Sequence, residues 1–267
     1  MPVFVVADLH GASDALPKAI PEGSTLLLLG DLLNVLDYIE LSGILVEVFT
    51  KEAVAEVANL RTAGRLDEAR AVMAARSKGR EDEVRQVFSR LAVEQYDEVF
   101  TALPDPTYLI LGNVDIPAMA DGYVTRSPGV THADGQTIEI EGERFGFVGG
   151  ALPTPLHVAG EVSAEDMRAK IEGLGEVDVL CSHIPPAVPD LCFDTLASKS
   201  ERGSEDLLAY IMDVQPRRAY FGHVHQPLVS SMWLGDTLCM NVGYFRRTKR
   251  AVLHAPATKG EEPWPRR

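Results

Sequence analysis

The sequence predicts an α/β protein in which two packed β-sheets are covered by helices, with a helical insertion between the second and third strands. Three features lead to that expectation. Short apolar runs end repeatedly at polar, ligand-type residues, helix-like stretches separate those runs, and the second half adds alternating segments with turn glycines.

The first strand is expected at Val3 to Ala7, which leads directly into Asp8-Leu9-His10. Thr25 to Leu29 runs into Gly30-Asp31, and Thr107 to Leu111 runs into Gly112-Asn113. Later, Val177 to Cys181 ends at Ser182-His183, and Arg218 to Phe221 ends at Gly222-His223-Val224-His225. Apolar runs of this length, bounded by polar residues, suit buried strands. Helices are expected at Ala12 to Ile20, at Gly203 to Val214, and at Ser163 to Gly173, where Ser163 supplies an N-cap and Gly173 a stop. Gln136 to Ile140 with Arg144 to Gly149, and Pro227 to Leu234 with Thr237 to Val242, read as antiparallel hairpins. From about Val35 to Leu103 the chain is rich in Ala, Glu, Arg and Leu, with apolar positions three and four apart. That pattern predicts three helices broken at Gly64 and Gly79. The insertion has two readings: an extension of the core, or a cap or dimerisation element through which a homo-oligomer could form.

With 267 residues, 46% of them apolar and 24% charged, the chain has the composition of a globular protein. A single domain is expected over residues 1–257, with the insertion at about 35–103 and a disordered tail at 258–267. The net charge of −14 disfavours nonspecific nucleic-acid binding, which relies on Lys and Arg to neutralise phosphates. Three cysteines, Cys181, Cys192 and Cys239, form no zinc-type pair and read as small core residues in a reducing compartment. The short apolar run at the N-terminus has no basic leader and no later run has spanning length, so the expectation is a cytoplasmic protein without membrane contact.

Asp8 and His10 stand two apart at a strand end, so both side chains leave the same face and reach one point. His223 and His225 repeat that spacing. In open α/β sheets the loops beyond the carboxyl ends of the strands converge, so five such endings share one crevice. Glycine before Asp31 allows close backbone approach, and Asn113 adds an oxygen donor without adding charge. Each dipeptide alone is an ordinary turn signal.

Taken in order, Asp-x-His, Gly-Asp, Gly-Asn, a lone His after a strand and Gly-His-x-His resemble the calcineurin-like metallophosphoesterase superfamily. The resemblance spans Asp8 to His225 with every ligand position filled. It implies a four-layer α-β-β-α sandwich of two mixed sheets flanked by helices, with two divalent metal ions at one end. By that analogy Asp8, His10, Asp31 and His225 hold the first ion, and Asp31, Asn113, His183 and His223 hold the second. Mixed O and N donors suit Mn, Fe, Zn, Ni or Co, with Mn or Fe with Zn expected. The implied nucleophile is a hydroxide bridging the two ions, so no Ser or Cys is needed.

One position departs from the pattern. Many members carry Gly-Asn-His-Asp or Gly-Asn-His-Glu, and here the third residue is Val114. Asp115, beside it, and His157, in the loop Leu152 to Val158, are the candidates for the missing polar role. Loss of a histidine that assists the leaving group fits phosphodiesters better than monoesters, so hydrolysis of a small phosphodiester is expected. The competing readings are a noncatalytic protein-binding scaffold, which fits poorly with seven retained donors, and a phosphomonoesterase or nuclease of the same superfamily. The densest basic cluster, Arg246, Arg247, Lys249 and Arg250, reads as solvated surface with one arginine available to a phosphate.

Overall fold

The computed structural model describes residues 1–155 and 158–255. β1 (Val3–Val6), α1 (Leu16–Ala19) and β2 (Thr25–Leu29) are followed by four helices: α2 (Ile44–Phe49), α3 (Lys51–Thr62), α4 (Leu66–Ser77) and α5 (Glu81–Ala102). Next come β3 (Thr107–Ile110), α6 (Pro117–Arg126), β4 (Val130–His132), β5 (Thr137–Ile140), β6 (Glu143–Val148), α7 (Ala164–Gly173) and β7 (Val179–Ser182). α8 (Pro189–Cys192), β8 (Phe193–Asp194) and β9 (Lys199–Ser200) precede α9 (Glu205–Val214) and β10 (Arg218–Phe221). The last elements are β11 (Ser231–Leu234), β12 (Thr237–Asn241), α10 (Phe245–Thr248) and β13 (Val252–Leu253).

Two mixed sheets form the centre. One has the order β13-β1-β2-β3-β4, parallel except for β13, and the other the order β11-β12-β10-β7-β6-β5, parallel except for its two outer strands. The period-two alternation of strand side chains divides the core. Val3, Val5, Leu27 and Leu29 point between the sheets, where they meet Phe145, Phe147, Val179 and Tyr220. Val6, Leu26 and Leu28 point the other way, onto Leu16, Ala92, Tyr96 and Val99 from the helices. Behind the second sheet, Met167 and Ile171 of α7 and Leu207 and Ile211 of α9 cover Leu180, Ala219 and Phe221. The result is the expected four layers, helix, sheet, sheet, helix.

Both expected hairpins form, as β5 with β6 and β11 with β12. Ser163 caps α7 by accepting from the Asp166 amide, and Ser204 caps α9 by accepting from that of Leu207. The insertion contains four helices where three were expected. Gly64 (φ 72°) and Gly79 (φ 78°) break it as read, but a third break falls at Thr50 (φ 94°), which carries no sequence signal for a left-handed residue. Two elements between β3 and β5 in the chain, α6 with Pro117 in its first turn and β4, were not anticipated either. The expected tail at 258–267 lies outside the described residues. Among the described residues no helix is long and apolar enough to cross a membrane.

Candidate metal centre

Parallel pairing of β1, β2 and β3, and of β7 with β10, sends the carboxyl ends of five strands to one edge of the sandwich. The residues following those ends are Asp8 and His10, Asp31, Asn113, His183, and His223 and His225. Four of them, Asp8, His10, Asp31 and His223, adopt positive φ between 41° and 66°. Non-glycine residues rarely hold that conformation, at a cost of about 1–3 kcal/mol each, and it clusters at functional sites.

Three glycines make the convergence possible. A Cβ on Gly30 (φ 88°) would lie 2.5 Å from the Gly112 amide nitrogen and 2.7 Å from His183 Nδ1. One on Gly112 would overlap the Asp31 carboxylate, and one on Gly222 would come within 2.8 Å of Asp8 Oδ2. The Gly-Asp, Gly-Asn and Gly-His dipeptides are thus steric requirements of the site as well as turns.

The donor atoms form two groups that share Asp31. Asp8, His10, Asp31 and His225 each offer an atom, all lying within 4.8 Å of one another, and Asp31, His183 and His223 do the same. His10 donates its Nδ1 hydrogen to Leu33 O at 3.0 Å, and His183 donates its own to Leu29 O at 2.8 Å. Those bonds fix the tautomers, leaving each Nε2 lone pair facing inward. His10 Nε2 is then 3.2 Å from His225 Nε2 and 3.5 Å from Asp31 Oδ2. His183 Nε2 lies 3.5 Å from Asp31 Oδ1. Asn113 Oδ1 sits between His183 Nε2 (3.1 Å) and His223 Nδ1 (2.9 Å), adding its oxygen to the second group.

Burial sets the electrostatics. It holds the Asp8 carboxyl well above the usual carboxylate range, an effect reinforced by the charge of Asp31, and it raises Asp31 to about 7. The same loss of water pushes His10 and His223 well below the ordinary imidazole value, lowers His183, and brings His225 to about 4. Neutral imidazoles and carboxylates that resist ionisation are donors short of positive charge. Asp8 Oδ1 accepts from the His223 amide at 3.0 Å, whereas Asp8 Oδ2 is buried with no hydrogen-bond partner among the described residues. An orphaned carboxylate oxygen grouped with donor atoms of His10, Asp31 and His225 fits a bound cation. The mixed O and N donor set suits first-row divalent metals.

Of the two further candidates, Asp115 is fully buried and belongs to neither donor group. Its Oδ1 accepts from the Leu32 (2.8 Å) and Leu33 (3.3 Å) amides and its Oδ2 from that of Gly112 (2.8 Å), so it ties the loops after β2 and β3 together. His157 lies outside the described residues. Val114 contributes its backbone, donating from its amide to Asp31 Oδ1 at 3.1 Å.

Two residues around the site, Asp37 and Tyr244, escaped the sequence reading. The Tyr244 ring stacks on His225 with centroids 4.0 Å apart and planes 8° from parallel, and it meets His10 edge-on at 5.4 Å. Tyr244 donates its hydroxyl to Asp37 Oδ2 at 3.0 Å. Arg246, of the basic cluster, reaches the site as well, donating to His10 O (2.8 Å) and Ser42 Oγ (3.0 Å). The signal was present: Asn241-Val242-Gly243-Tyr244 is a sixth strand end followed by glycine and a polar ring.

The four-layer sandwich thus gathers two O and N donor groups around a shared carboxylate, each group able to hold a metal ion. The sequence model of the calcineurin-like phosphoesterases matches residues 1–227, and the chain belongs to that family. No curated protein matches the chain at a significant level. Among solved structures, one crystal structure superposes with a TM-score of 0.57 at 16% sequence identity, over 96% of this chain and 100% of its own, a likeness of fold alone.

Proposed function

We propose that the chain hydrolyses small phosphodiesters at a dinuclear centre. Asp8, His10, Asp31 and His225 hold the first ion, Asp31, Asn113, His183 and His223 the second. The observation that carries this reading is the pair of donor groups meeting at Asp31, with Asp8 Oδ2 otherwise unpartnered. When bound, two such cations grip phosphoryl oxygens and activate a water for in-line displacement. The chain's own part is to fix the donors. Leu33 O and Leu29 O orient two imidazoles, Asp115 clamps the loops carrying Asp31 and Asn113, and Tyr244 holds the plane of His225.

The preference for diesters rests on Val114, a side chain that cannot transfer a proton to a leaving group. Asp115, with both oxygens committed to amides, is a positioning residue and does not replace that donor. Turnover of bis- and mono-nitrophenyl phosphate with added Mn tests the preference: a diester kcat/KM above the monoester value is expected, and the reverse order would overturn it.

Two further outcomes follow from the donor set. Tyr244→Leu removes the ring that fixes His225, and the affinity for the first ion is expected to fall by about 10- to 100-fold, as for other partners of metal ligands. Tyr244→Phe keeps the stack and loses only the bond to Asp37, so it should retain most of that affinity; equal losses in the two variants would refute the role of stacking. Loading the metal-free protein with Mn near pH 6.5 should release protons, because burial raises the Asp31 carboxyl to about 7 while His225, brought down to about 4, is already neutral there. Calorimetry in buffers of different ionisation enthalpy reads that release, which should shrink by pH 8.

A further inference from the structure

The sequence leaves open what the helical insertion is for, and Arg61, near the end of α3, bears on that question. Its guanidinium lies over the Tyr38 ring, 4.7 Å from the centroid. Among the described residues no carboxylate or carbonyl accepts a hydrogen bond from it. The other arginines around this end of the molecule are all committed. Arg70 is held by Asp67 (2.9 Å) and by Pro155 O, Arg202 by Pro153 O (2.9 Å), and Arg246 by His10 O (2.8 Å). Arg61 is half-buried, and that burial depresses its pKa, opposed by the charge of Glu201. A partly desolvated guanidinium without acceptors is costly, and an anion that supplies them recovers the loss.

Two independent routes connect this cation to the donor cluster. Glu201, the acid that acts on Arg61, lies 4.0 Å from His223 Nε2. Its own charge is shared with Lys199 at 2.8 Å, so it offers Arg61 no hydrogen bond of its own. On the other side, Tyr38 directly follows Asp37, whose carboxylate accepts from Tyr244, the ring stacked on His225. Arg61 is thus linked to the centre through Glu201 and through Tyr38 and Asp37, and is not itself one of the donors. In a protein of net charge −14, an anionic substrate needs local cations, and beyond the ions this is the one without a protein hydrogen-bond partner among the arginines just compared.

We infer that the insertion forms one wall of the substrate site, with Arg61 binding a second anionic group of the substrate beyond the scissile phosphate. The substrate class is then a phosphoester carrying at least two phosphates or equivalent anions, such as a diphosphate diester. This inference rests on the phosphoesterase reading, and the test separates the two. AMP and ADP serve as one-phosphate and two-phosphate probes, titrated calorimetrically into Mn-loaded protein at fixed excess Mn, with metal content measured afterwards. Wild type is expected to bind ADP about 10- to 100-fold more tightly than AMP, the range of a charge-assisted contact. Arg61→Ala should remove that difference while leaving AMP affinity and metal content unchanged, and Arg61→Lys should restore part of it. A wild type that shows no ADP preference, or an Arg61→Ala variant that keeps it, would overturn the inference. Absence of AMP binding to a fully loaded wild type would count against the phosphoesterase reading itself.

Discussion

Asp31→Asn is expected to abolish retention of both ions and to lower diester turnover by at least about 10³-fold, more than the loss of a single transition-state contact usually costs. The size of the effect follows from sharing: Asp31 belongs to both donor groups, whereas every other donor belongs to one. A carboxamide keeps the shape and can still accept from the Val114 amide, but it lacks the charge that two cations need nearby. The same substitution should act oppositely on the metal-free protein. Burial raises the Asp31 carboxyl to about 7, so at pH 8 the empty fold carries an ionised group that the unfolded chain would solvate better. Metal-free Asp31→Asn should therefore melt above metal-free wild type at pH 8, by about 2–4 °C for each kcal/mol gained. An inactive variant that still retains two ions, or one that melts lower when metal-free, would contradict this assignment.

Chelation is expected to lower the melting temperature of wild type by about 10 °C at pH 7.5. Ions present at about 1,000 times their dissociation constant contribute about 4 kcal/mol, and in a chain of this size each kcal/mol corresponds to about 2–4 °C. The pH dependence carries a sign that can be checked. For Asp31 the folded value, about 7, exceeds the unfolded one, so its contribution is fully present at low pH and is lost as pH rises through 7. For His225 the folded value, about 4, lies below the unfolded one, so its contribution is complete above about 6.5 and is lost as pH falls through 4. Between pH 6.5 and 8 Asp31 retains a slope and His225 does not. The chelated protein should lose stability across that window while the loaded protein does not. A flat profile after chelation would mean that the Asp31 carboxyl is not held in its protonated form by burial.

What the sequence made legible was what is written locally. Strand ends followed by ligand-type residues are contiguous in the chain, so Asp8, His10, Asp31, Asn113, His183, His223 and His225 could be read before any coordinates, and the fold brings all seven together. Gly64 and Gly79 announced their breaks because glycine is the residue that tolerates positive φ. Thr50 did not, since a threonine at φ 94° is imposed by the packing of α2 and α3 rather than by its own preference. The ring of Tyr244 on His225 joins residues 19 apart through a strand end and a turn, and the bond from Tyr244 to Asp37 joins residues 207 apart. Contacts of that kind depend on tertiary placement, which periodicity does not encode. Asp115 shows the converse: a carboxylate beside a ligand suggested chemistry, and its three backbone amides assign it to holding loops together.

The central claim is that two donor groups meeting at Asp31 hold two cations. A crystal of the Mn-loaded protein, with anomalous scattering recorded across the Mn absorption edge, tests it most directly. The account predicts two peaks about 3.5–4 Å apart, both in contact with Asp31, one beside Asp8, His10 and His225 and the other beside Asn113, His183 and His223. A single peak, or Mn bound away from these seven residues, would contradict it.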